Sequence, residues 1–237
     1  MQVEYRRHVS LQITGADEVL KALESGVEIK LVLVDREEDC SEIIELCKSN
    51  NIKVVEGSST DLWRMSANGQ QKALALIGRE PAGTLEEVFE RDGVIWLFDG
   101  VEYAPNLGFG VRTAEVSGAT AVIINVKKTH EERRTIRRAG MRATRFIPVI
   151  YSSTEEILAA CNRRIIVAED VGDKAPWNAD LTGNVMLVVG AENAGVSKEV
   201  LNAADDIVRL PMPGFVPSYN LQVAVSALAI ERLRQSE

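Results

Sequence analysis

Histidine is almost missing from this chain, with two among 237 residues, His8 and His130. Cysteine is scarce too: Cys40, Cys47 and Cys161 form no C-x-x-C pair, so no metal site is expected. An odd, scattered set of thiols also argues against a disulfide framework and points to a reducing cytoplasm. No apolar run approaches the length of a membrane span. The opening MQVEYRRHVSLQ lacks the apolar centre of a secretory leader, so neither insertion nor export is expected. Positive charge is in deficit. Lys and Arg number 27 against 35 Asp and Glu, for a net charge of −8 and a pI near 5.0. That balance argues against generic nucleic-acid binding, which is dominated by phosphate neutralisation. A local basic patch remains compatible with it.

What is present is an ordinary apolar fraction of 46%, enough for a real core, and a regular α/β alternation. Residues 1–80 read as a small α/β domain. Helices are expected at Ile13–Ser25 with Asp17 as the cap, at Cys40–Asn51 ended by Asn50 and Asn51, and at Ser59–Asn68 capped by Ser59 or Thr60. Strands are expected at Glu28–Asp35, Ile52–Ser58 and Lys72–Gly78. Residues 81–92 read as linker and helix, with Pro81 and Gly83 as breakers. Residues 93–237 continue the alternation from the apolar strand GVIWLFDG, which predicts a parallel sheet covered on both faces.

Three segments in the larger domain follow apolar strands, where open α/β sheets bind ligands. The first, APNLGFGVRTAE, reads as a glycine-containing turn into a helix. Such a turn suits phosphate binding by backbone N–H groups, and Arg112 is either a phosphate clamp or a residue of a solvated face. Gly108-x-Gly110 followed by Ala114 has the wrong spacing for a dinucleotide fingerprint. The second segment is VVGAENAGVS, and the third is LPMPGFVPSYNLQ.

Together the three segments resemble the motifs of the SpoU-type, TrmH-like branch of the SPOUT superfamily, ribose 2′-O-methyltransferases of RNA. The first motif is matched by Asn106, Gly108, Arg112, Ala114 and Gly118, the second by Gly190, Glu192, Gly195 and Ser197. The third is matched by Leu210, Pro211, Met212, Gly214, Ser218, Tyr219 and Asn220. The resemblance implies a parallel sheet whose C-terminal part is threaded as a trefoil knot, an exception to the usual rule against threading. It also implies S-adenosylmethionine as cofactor, held by Gly190, Leu210, Met212 and Tyr219, with no metal. It further implies a homodimer whose active site is completed across the interface, and an RNA-binding role for the first domain. By family position Arg112 stabilises developing negative charge, since an arginine is a poor base. Asn106 would hold Arg112 or the ribose, Glu192 would orient the arginine, and Ser218 and Asn220 would shape the pocket. Ribosomal RNA of the large subunit is the expected substrate. A tRNA 2′-O-methyltransferase and a catalytically silent RNA-binding paralogue are the alternatives.

The chain departs from the family pattern at Ala104, where an acid is usual, at Tyr219, where leucine is usual, and at Gly140 and Arg142 in an R-x-S-x-G pattern. One stretch reverses the overall charge. Lys127–Arg145 holds eight Lys or Arg against two Glu, locally +6. Arg133, Arg134, Arg137, Arg138 and Arg142 are therefore the expected RNA contacts, with Tyr5, Arg6 and Arg7 as a weaker second set.

Overall fold

The computed structural model describes residues 11–66, 68–69, 71–216 and 218–237. Tyr5, Arg6 and Arg7 lie outside the described residues. The chain divides into two units, Met1–Pro81 and Ala82–Glu237.

The first unit runs β1 (Gln12–Thr14), α1 (Ala16–Glu24), β2 (Ile29–Asp35), α2 (Ser41–Ser49), β3 (Lys53–Gly57), α3 (Ser59–Met65) and β4 (Ala73–Ile77). Its sheet has the order β1-β4-β2-β3. The strands β2 and β3 are parallel, while β4 runs antiparallel to both β1 and β2. Two expectations are corrected here. Residues 12–14 are a strand, and the first helix follows Gly15, whose φ of +101° breaks the chain direction; no side chain caps it, and Asp17 lies in its first turn. The cap of α3 is Ser58, one residue earlier than expected. Its side chain accepts from the Asp61 N–H at 3.2 Å and the Asp61 carboxylate accepts from the Ser58 N–H at 3.3 Å, a reciprocal capping box. The core gathers Val19, Val32, Val34, Ile43 and Ala75 around the buried free thiols Cys40 and Cys47, whose pKa burial pushes up.

The second unit runs α4 (Leu85–Glu90), β5 (Val94–Asp99), α5 (Ala104–Val116), β6 (Ala121–Ile124), α6 (His130–Ala139), β7 (Val149–Tyr151) and α7 (Thr154–Ala160). It continues with β8 (Arg164–Ala168), β9 (Val185–Gly190), α8 (Lys198–Asn202), β10 (Asp206–Val208) and α9 (Leu221–Ser236). Its six strands are all parallel, in the order β10-β8-β9-β5-β6-β7.

Strand side chains alternate between two cores. Trp96, Phe98, Val122, Ile124, Leu187 and Val189 face α5, α6 and α9, whereas Ile95, Leu97, Ile123, Val167, Met186 and Val188 face α4, α7 and α8. Burial on both faces explains why β5 reads as a continuous apolar run. The helices α6 and α7 each start at a capping box, Thr129 with Glu132 and Ser153 with Glu156. The helix α4 is buried through Val88 and Phe89, and Arg163 secures its end: the guanidinium donates to the carbonyls of Phe89, Arg91 and Gly93 at 2.5–3.0 Å.

Candidate active site

The middle strands β5 and β9 are neighbours, yet the helices after them cover opposite faces: α5 packs in one core, α8 in the other. The connections diverge at the carboxyl ends of these strands, where an open parallel sheet has its ligand crevice. Asn106, near the start of α5, and Glu192, just past β9, meet across it. The Asn106 amide donates to the Glu192 carboxylate at 2.5 Å. Asn106 is buried and Glu192 exposed.

The second motif forms a tight loop. Ala191 and Gly195 exchange backbone hydrogen bonds of 3.1 and 2.9 Å, which fold the chain back on the end of β9. The return is so close that a Cβ on Gly190 would collide with the carbonyl carbon of Gly195. A Cβ on Gly195, at φ +66°, would lie 2.5 Å from the Glu169 carboxylate. Burial raises the pKa of Glu169. The third motif lies between β10 and α9. Asn220 caps α9, its side chain accepting from the Gln222 N–H at 2.9 Å, and the Tyr219 hydroxyl donates to the Pro211 carbonyl at 2.9 Å. Leu210 and Met212 are half-buried, and Ser218 is exposed.

Two expectations about the first motif are corrected. Asn106 and Gly108 do not form a turn before a helix; they lie inside α5, as does Arg112, two turns in. The glycines serve packing and not an anion. A Cβ on Gly108 would lie 2.6 Å from both Ala139 and the Ile136 carbonyl of α6, and one on Gly110 would lie 2.5 Å from the Phe98 ring. Within the chain the Glu192 carboxylate engages Asn106. The Arg112 side chain is exposed and makes no hydrogen bond or ion pair among the described residues. It shares the outer stripe of α5 with the exposed Phe109 and Val116.

The basic stretch is less uniform than its composition. Lys128 is buried and donates to the Glu102 carbonyl at 2.6 Å. The Arg133 guanidinium sits 4.2 Å over the Tyr151 ring, with its Nε donating to the Lys128 carbonyl at 3.2 Å. Arg134, Arg137 and Arg138 are exposed on α6. Arg142 is half-buried with φ +63°, the left-handed region in which glycine is the ordinary choice. Arg145 is half-buried, and burial together with Arg142 and Arg137 lowers its pKa.

Sequence reasoning missed Asp99, Asn125 and Glu169, which lie beside the second motif. Asp99 is buried at the end of β5 and accepts from the Ser197 N–H at 2.6 Å and from the Asn125 amide. Only the apolar strand ending abruptly in an acid could have signalled it. Among the described residues no group of three or more His, Cys, Asp or Glu could hold a metal ion, and no helix is long and apolar enough to cross a membrane.

Residues 93–230 match the model of the SpoU rRNA Methylase family. The chain is 32% identical over 160 residues to the 23S rRNA (guanosine-2′-O-)-methyltransferase RlmB of Pseudomonas putida, covering 65% of this chain and 64% of that relative. RlmB of Xanthomonas campestris is 26% identical over 243 residues, covering 94% of this chain and 96% of the relative. Among solved structures, the AdoMet-bound rRNA methyltransferase of Sinorhizobium meliloti aligns over 94% of this chain and 87% of its own. Its TM-score is 0.62, at 22% identity. The SpoU methyltransferase AviRb of Streptomyces viridochromogenes aligns over 95% and 89%, with a TM-score of 0.60 at 22% identity. The fold is that of the SPOUT methyltransferases. With each of the three motifs following the carboxyl end of a strand of an all-parallel sheet, the chain belongs to the SpoU rRNA methylase family.

Proposed function

We propose that this chain methylates a ribose 2′-hydroxyl of RNA with S-adenosylmethionine, and that the RNA is ribosomal, of the large subunit. The observation that carries the reading is the meeting of Asn106 and Glu192 at the carboxyl ends of β5 and β9, beside a loop that closes on Gly190. Family membership and the names of the relatives support the reaction and substrate class.

The loop suits the cofactor. A strand end without a Cβ lets the loop fold back on Gly190, with the backbone of Ala191, Gly195, Val196 and Ser197 tied within it, and the backbone groups of residues 192–194 at its tip face a flat, polar ligand, with Leu210, Met212 and Tyr219 supplying apolar surface. When bound, the cofactor supplies an electrophilic methyl group. The chain's own task is to place a poor nucleophile in line and stabilise the oxyanion that forms. Glu192 fixes the Asn106 amide, leaving the other amide groups of Asn106 to hold the ribose. Arg112 neutralises the charge developing on the 2′-oxygen or on the adjacent phosphate. Ser218 and Asn220 border the target pocket.

Arg112 shares its stripe of α5 with Phe109 and Val116, and Val223 and Ile230 form an exposed apolar row on α9, which packs beside α5. These rows are the surface of a homodimer in our reading, and Arg112 completes the site across it. The arginines of α6 track the phosphate backbone, and the first domain, residues 1–80, contributes target recognition with the exposed Trp63 and Arg64 on α3. The third motif passes through a trefoil knot, no metal takes part, and the enzyme works in the cytoplasm.

The test is methyl transfer to ribosomal RNA by wild type and Arg112→Ala. The variant should lose about 10²–10³-fold in rate while its affinity for S-adenosylhomocysteine stays within about twofold. Parallel loss of both would remove the role given to Arg112.

A further inference from the structure

The loop after β9 is held from both sides. Val196 N–H donates to the Glu169 carboxylate at 3.3 Å, and Ser197 N–H donates to the Asp99 carboxylate at 2.6 Å. Glu169 follows β8 and Asp99 ends β5, and these two strands flank β9. Two successive backbone N–H groups are therefore drawn to acids on opposite neighbours. Glu192 adds a third tie through Asn106. Behind Asp99 stands a second layer. Asn125 donates to Asp99 and to Thr154 Oγ1 at 3.0 Å, and accepts from the Gly100 N–H at 2.7 Å. Ends of β5, β6 and α7 thus converge on one carboxylate.

We propose that Asp99 and Glu169 are positioning residues for the cofactor site: they hold residues 191–197 in the cradle geometry before any ligand arrives. The inference rests on the reading of that loop as the S-adenosylmethionine site. Neither acid touches the reacting atoms. Their effect is to remove the ordering cost that a free loop would take from binding, and charge-assisted hydrogen bonds to backbone N–H are among the stronger ties available. The chemistry requires a carboxylate at 99. Its two oxygens face two donors, Ser197 N–H and the Asn125 amide, whose own orientation is set by Gly100 N–H. An Asn side chain offers one acceptor and must direct a donor at a donor.

Calorimetric titration with S-adenosylhomocysteine tests this. Asp99→Asn should bind roughly tenfold or more weakly than wild type. Glu169→Ala should bind severalfold more weakly, and Glu169→Gln, which keeps an acceptor, should recover binding. Amide exchange at Val196 and Ser197 should quicken in Asp99→Asn. Asn184→Ala is the structural control, because it removes a similar tie at the opposite edge, where Asn184 accepts from Gly93 N–H at 2.7 Å. It should lower the melting temperature and leave affinity alone. Equal weakening by Asn184→Ala at matched stability would overturn the proposal, as would wild-type affinity in both Asp99→Asn and Glu169→Ala. Should Asp99→Asn fail to fold, the Glu169 pair decides. A wild type that binds nothing would refute the cofactor reading instead, and unchanged exchange at Ser197 in Asp99→Asn would then refute the tie separately.

Discussion

The two units of this chain carry the same net charge and use it differently. Met1–Pro81 holds ten basic and fourteen acidic residues, Ala82–Glu237 seventeen and twenty-one, so each is −4. In the first the signs are interleaved, as in the surface pair Lys72–Glu38. In the second, a +6 block is set apart on and around α6, and the rest of the unit is correspondingly acidic. A total charge therefore says little about an RNA partner, whereas its segregation does. The units differ in sheet design too. The first mixes strand directions, while the second is wholly parallel and so has a crevice at its carboxyl edge.

Breaking the segregation should have the largest effect. Reversing Arg133, Arg134, Arg137 and Arg138 to Glu should weaken RNA binding by about 10²-fold or more and reduce the slope of log K against log salt by about 2–3. An unchanged slope would mean that α6 is only a solvated face. In the first unit, Trp63→Ala should weaken binding about fivefold, through lost stacking, with no change of slope. A changed slope there would erase the distinction between the units.

Packing gives the next effects. Gly108→Ala forces α5 from α6 and should cost about 1–3 kcal/mol in denaturant unfolding. Gly190→Ala should cost a similar amount and also weaken cofactor binding, because its clash lies in the loop itself. Equal cofactor affinity in both variants would separate the loop from the site.

The smallest effect is on acid stability. Glu156 accepts from Ser152 and Ser153, and Glu231 from Arg234 and Gln235, which hold both carboxyls down at about 2. Depressed pKa values stabilise the fold above the ordinary carboxylate range, and this contribution should fade as pH drops from about 4.5 to 2. Glu169, raised by burial, opposes it, favouring the fold while protonated. A flat melting temperature across that interval would contradict both the Glu156 capping box and the Glu231–Arg234 pair within α9.

Much of this was legible in the sequence, for identifiable reasons. The apolar runs of β5 and β9 are local signals, written within a few residues. The three motifs carried the family. What failed was non-local. The strand β1 has three residues and exists because β4 pairs with it. Gly108 and Gly110 read as a phosphate turn because the sequence does not show α6 or Phe98 pressing on them. Asp99 meets Ser197 across 98 positions, and Asn106 meets Glu192 across 86, so neither tie has a local signature.

The central claim is that the β5–β9 crevice is a cofactor site, and calorimetric titration with S-adenosylmethionine and S-adenosylhomocysteine tests it most directly. The account predicts one site per protomer with micromolar affinity, about −8 kcal/mol. Absence of binding to both ligands would contradict it and leave an RNA-binding protein with a closed pocket.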